Sequence, residues 1–95
     1  MRVVGREKVD DFLKHHEDIR QDVSELIRDL EKKMFTKPAE LLEHYPSARV
    51  LDGKHVVFKI RGNNYRLVAA IAYNVGTIVI EFCGTHKQYD RLNIR

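Results

Sequence analysis

Ninety-five residues, 43% hydrophobic and 33% charged, suffice for one small core and leave no room for two ordinary domains, so residues 1–95 are expected to form a single domain. A lone cysteine, Cys83, excludes an intramolecular disulfide, no Cys/His cluster stands at zinc-ligand spacing, and no run is apolar enough for a signal region or a membrane span; the expected setting is soluble and cytoplasmic, with no metal, cofactor or membrane partner. The net charge of +3 is unevenly placed: residues 1–45 carry nine Lys/Arg against eleven Asp/Glu, and residues 46–95 carry eight against three. That asymmetry suggests a scaffold side and a side facing a polyanion, the competing reading being ordinary solvated charge.

In chain order, Arg2-Val3-Val4 suits a short strand. After Gly5, Val9, Phe12, Leu13 and His16 recur at helical spacing, and Ile19, Val23, Leu26, Ile27, Leu30 and Met34 follow. Two helices are predicted, over 6–16 and 19–34, with Asp18 capping the second and Gln21 completing a capping box. Pro38 opens a short helical turn to His44, and Pro46 ends it. From Val50 the period changes to two. His55 to Ile60 and Tyr65 to Tyr73 are predicted strands joined by the turn Arg61-Gly62-Asn63-Asn64. Asn74-Val75-Gly76 is a second turn, and Thr77 to Phe82 a third strand rich in β-branched residues. The predicted fold class is α+β: two N-terminal helices packed on a small antiparallel sheet of three or four strands, followed by a short tail.

Alternation sorts the polar side chains. Val56, Phe58 and Ile60 form a wholly apolar face suited to meet the helices, which leaves His55 and Lys59 on the open side. Arg66 shares the open face with Val68, Ala70 and Ala72. An arginine inside an apolar strand must be paired or face a groove, and a cross-strand Arg66–Glu81 ion pair is the structural alternative to a functional role. The tail from Thr85 to Asp90 gathers His86, Lys87 and Tyr89. An imidazole, an ammonium and a phenol are what a metal-free ribonuclease needs to take the 2′-OH proton, neutralise the phosphorane and protonate the leaving 5′-oxygen; the same groups also occur as plain surface.

The strand Gly62-Asn63-Asn64-Tyr65-Arg66-Leu67-Val68 resembles the strand of RelE-superfamily toxins in which a Tyr-Arg-Leu-Val sequence carries a phosphate-binding arginine. The ending Thr85-His86-Lys87-Gln88-Tyr89-Asp90 resembles their end-of-sheet segment, where basic residues precede a tyrosine. With Lys37-Pro38-Ala39-Glu40-Leu41 and the Tyr45-Pro46-Ser47 turn, these motifs follow in the order of the HigB branch, from Lys37 to Asp90.

The resemblance implies a RelE-like fold and a type II toxin: a metal-independent, ribosome-dependent mRNA endoribonuclease that inhibits translation. It also implies a HigA-like helix-turn-helix antitoxin, through which the complex binds operator DNA. Carried over by position, Arg66 holds the scissile phosphate, His86 and Lys87 supply acid–base and phosphate contacts, and Tyr89 stacks on a base or assists proton transfer. Strand alternation, rather than a family motif, adds Lys59, Arg61 and Asn64 as RNA-binding residues. A ParE-like gyrase poison, which lacks the basic-plus-tyrosine ending, and a non-catalytic RNA-binding module are the alternatives.

Overall fold

The computed structural model describes residues 1–92. The chain opens with strand β1 (Arg2–Val4), then helix α1 (Arg6–Leu13), a 3-10 turn (Glu17–Ile19) and helix α2 (Arg20–Lys32). Short helix α3 (Pro38–His44) leads into strands β2 (Arg49–Val50), β3 (His55–Ile60), β4 (Tyr65–Ala72) and β5 (Thr77–Thr85), and helix α4 (His86–Asp90) follows. The fold class is α+β as expected.

The first helix ends at Leu13 rather than at residue 16. His16 leaves helical geometry (φ −140°), stacks on Phe12 at 3.9 Å between ring centroids, and sets Nδ1 3.2 Å from the Phe12 carbonyl oxygen. The expected Asp18–Gln21 capping box is not formed, because both ends of Asp18 serve the other half of the chain. Its carbonyl accepts from Arg61 (2.8 Å) and its carboxylate from the Tyr65 hydroxyl (3.5 Å). Helix α2 therefore starts at Arg20 without a side-chain cap. Val23, Ile27 and Leu30 form its buried stripe, at about 2 kcal/mol for each side chain removed from water.

The sheet has five strands in the order β1-β5-β4-β3-β2. β2 through β5 form the expected antiparallel meander, and β1 adds to β5 in parallel, with Val3 opposite Ile78. Gly5 permits this close return: its φ is +88°, and a Cβ there would lie 2.5 Å from the Ile80 carbonyl oxygen. Val56, Phe58 and Ile60 of β3, Leu67, Ala69 and Ile71 of β4, and Ile78, Ile80 and Cys83 of β5 join one core with the helices. Burial pushes the Cys83 thiol up to about 11, so it packs as a small apolar group.

The opposite face is built in rows across the strands. One row is Arg49, Val57, Val68 and Phe82; the next is Lys59, Arg66 and Gly84. The ladder between β4 and β5 is irregular: Val68 pairs with Phe82 but Ala69 with Ile80, so Glu81 is an extra residue. This β-bulge inverts the alternation of β5, placing Cys83 in the core instead of Phe82.

Candidate active site

Arg66 has only 7% of its surface exposed and is the one buried charged residue among those described. Its strand partner on one side is Lys59, and on the other Gly84, which has no side chain to offer. The alternative Arg66–Glu81 ion pair is not formed, because the bulge shifts Glu81 along β5 to His55. No carboxylate lies within ion-pair distance of Arg66 among the described residues. Nη1 donates to the Asn63 carbonyl oxygen at 2.7 Å, and the guanidinium faces the Tyr89 ring, 5.7 Å from its centroid. A buried cation held by a carbonyl and an aromatic face keeps its charge uncancelled, which suits it to an anion.

The tail beyond β5 is the helix α4, and its start is locally determined. The Thr85 hydroxyl accepts from the Gln88 N–H (3.1 Å), and the Gln88 side chain accepts from the Thr85 N–H (2.9 Å). This is a complete capping box. The His86 N–H donates to the Asn64 carbonyl oxygen at 2.9 Å, which ties the helix to the β3–β4 turn. One helical turn then aligns His86 with Asp90, Nδ1 to Oδ2 at 2.8 Å. A carboxylate at Nδ1 fixes the ring and leaves Nε2 for a proton transfer.

Asn63, Asn64, Thr85, His86 and Lys87 line an open cleft of about 470 Å³. Arg66 adjoins it through its bond to Asn63, and Lys59 stands opposite Arg66 in the ladder, exposed. The structure thus gathers Arg66, His86, Lys87, Tyr89, Asn64 and Lys59 at one end of the sheet. Arg61 does not join them. It adopts φ +54° in the turn, which takes its side chain out of strand alternation, and Nε bonds the Asp22 carboxylate at 2.9 Å on the helix side. His55 lies on the Lys59 face, but both ring nitrogens meet carboxylates, Asp52 and Glu81, each at 3.1 Å. Among the described residues no group of three or more His, Cys, Asp or Glu is arranged to hold a metal ion.

Asp90 was readable only as part of the ending; its four-residue spacing from His86 was the available signal. The start of α4, where a tail was expected, had a signal too, since Thr85-x-x-Gln88 is a capping-box sequence.

Residues 19–92 match the family model of the HigB toxin, a RelE-like toxic component of a toxin–antitoxin system. The chain belongs to the HigB toxin family. Its toxins act within a toxin–antitoxin pair, so an antitoxin is a partner of this chain. The chain is also similar to the mRNA interferase toxin HigB of Escherichia coli strain K12, at 29% identity over 93 residues covering 95% of this chain and 88% of that one. Proteins called mRNA interferase HigB in Escherichia coli O157:H7 and Shigella flexneri match with the same identity and coverage. The family match takes in every gathered site residue, from Lys59 to Tyr89. No helix among the described residues is long and apolar enough to cross a membrane.

Proposed function

We propose that this toxin is an endoribonuclease that cuts mRNA on the ribosome and so stops translation and growth. The observation that carries the reading is Arg66: a buried cation without a carboxylate partner among the described residues, held beside a cleft that carries His86 and Lys87. The mRNA-interferase names of its relatives support the same substrate.

Arg66 binds the non-bridging oxygens of the scissile phosphate and stabilises the charge that builds in the phosphorane. His86, oriented by Asp90, takes the proton from the substrate 2′-OH, which attacks the phosphorus; the P–O bond to the 5′-oxygen breaks. Lys87 returns a proton to that oxygen. The products are a 2′,3′-cyclic phosphate and a 5′-OH. Tyr89 fixes the plane of Arg66 with one face, leaving the other for a base. Lys59 and Asn64 steer the RNA backbone. The ribosome supplies substrate orientation that so small a cleft cannot.

Residues 1–95 act as one toxin domain in the cytoplasm. The antitoxin is a HigA-like helix-turn-helix protein, through which the complex binds operator DNA. The test is induction of the toxin without antitoxin, followed by mapping of 5′ ends on translated messages. Discrete new ends carrying 5′-OH are expected. SOS induction without cuts would favour a gyrase poison, and growth arrest with neither would favour a passive RNA binder.

A further inference from the structure

Phe82 is not explained by the core. Strict alternation through Ile78 and Ile80 would bury it beneath the helices; the Glu81 bulge instead turns it to the open face and gives the core position to Cys83. Replacing a phenyl ring by a thiol in a core forgoes apolar burial, so the sheet keeps a large aromatic side chain outside at a cost. That side chain stands one row from Arg66: Val68, its ladder partner, is two residues along β4. The ring lies over Gly84. A Cβ at Gly84, the residue opposite Arg66, would lie 2.5 Å from Phe82 Cζ and 2.7 Å from Gln88 Oε1. Gly84 therefore lets a half-buried aromatic edge and the start of α4 converge on the strand position opposite Arg66.

We propose that Phe82 is a positioning residue that stacks against a nucleobase of the mRNA next to the phosphate held by Arg66. The inference rests on the RNA-cleavage reading. Every base has an apolar π-face, so an aromatic ring beside a phosphate-binding cation is a single-strand platform. Its partner is a base rather than a phosphate because the ring carries no charge, and the cations nearest in the ladder, Arg66 and Lys59, lie in the neighbouring row. Phe82 and Tyr89 then flank the arginine from β5 and from α4.

The test compares Phe82→Leu, Phe82→Met, Phe82→Tyr and Phe82→Trp by mapped cleavage in cells, alongside the melting temperature of each purified toxin–antitoxin complex. Leu and Met should fold and lose cleavage on the order of tenfold, whereas Tyr and Trp stay within about threefold of wild type. Wild-type cleavage by Phe82→Leu, or an equal loss in aromatic and aliphatic variants, would overturn the proposal. If the aliphatic complexes melt early, Phe82→Tyr decides: retained cleavage supports stacking and lost cleavage refutes it. Absence of cuts with the wild-type toxin is a different result and refutes the RNA-cleavage reading itself.

Discussion

Arg66 and Tyr89 face each other across the end of the sheet, the guanidinium carbon 5.7 Å from the ring centroid. The pair joins β4 to α4, and it is the only aromatic contact made by the buried cation among the described residues. Tyr89→Phe keeps the ring face and should retain most cleavage if the hydroxyl transfers no proton. Tyr89→Ala frees the guanidinium and should lower cleavage on the order of tenfold. Single-turnover rates on ribosome-bound message separate the two.

His86 and Asp90 form a second pair on the same short helix. His86→Ala removes a proton-transfer group, and a loss on the order of a hundredfold is expected. Asp90→Asn should cost less, since the imidazole remains and only its orientation is weakened. A cleavage rate unchanged in both would remove His86 from the mechanism.

Gly84→Ala tests the packing at the strand position opposite Arg66 without touching a reacting group. The new methyl group meets the far ends of the Phe82 and Gln88 side chains, which can move, so the fold should survive. The displaced Gln88 loosens the capping box of α4, and cleavage should fall while the melting temperature changes by only a few degrees. A fully active Gly84→Ala protein would mean that this packing is not required.

These relationships differ in how visible they were in the residues. Strand β3 was legible to its ends because Val56, Phe58 and Ile60 make one apolar face that stops at the turn Arg61-Gly62-Asn63-Asn64. Arg66 was legible as an intruder in an apolar strand. The surroundings of Arg66 were not. An alternation count assumes one residue per step, and the Glu81 bulge adds a residue that only the ladder with β4 reveals. Nor does such a count show that Arg61, in the turn with a left-handed backbone, sends its side chain to Asp22 on the helix side. The parallel return of β1 to β5 was hidden because pairing between chain ends leaves no local pattern.

Away from the site, Asp52 gives a pH signature. Its carboxylate accepts from the His55 and Lys54 backbone N–H groups, at 2.6 and 2.8 Å, and these donors, with the His55 ring, hold it at about 2, below the ordinary 3.8. A depressed folded value means the contribution is complete above 3.8 and is lost as pH falls toward 2. The melting-temperature gap between wild type and Asp52→Ala should therefore be constant above about pH 5 and close on acidification. A gap independent of pH would show that the charge of Asp52 is irrelevant to its role.

The most direct measurement is the rate at which Arg66→Ala cuts ribosome-bound mRNA, with folding checked by antitoxin binding. If Arg66 is the phosphate site, the variant binds antitoxin like wild type and cuts on the order of a hundredfold more slowly or worse. A folded Arg66→Ala protein that cuts mRNA and arrests growth as wild type does would contradict the assignment of this cleft as the active site.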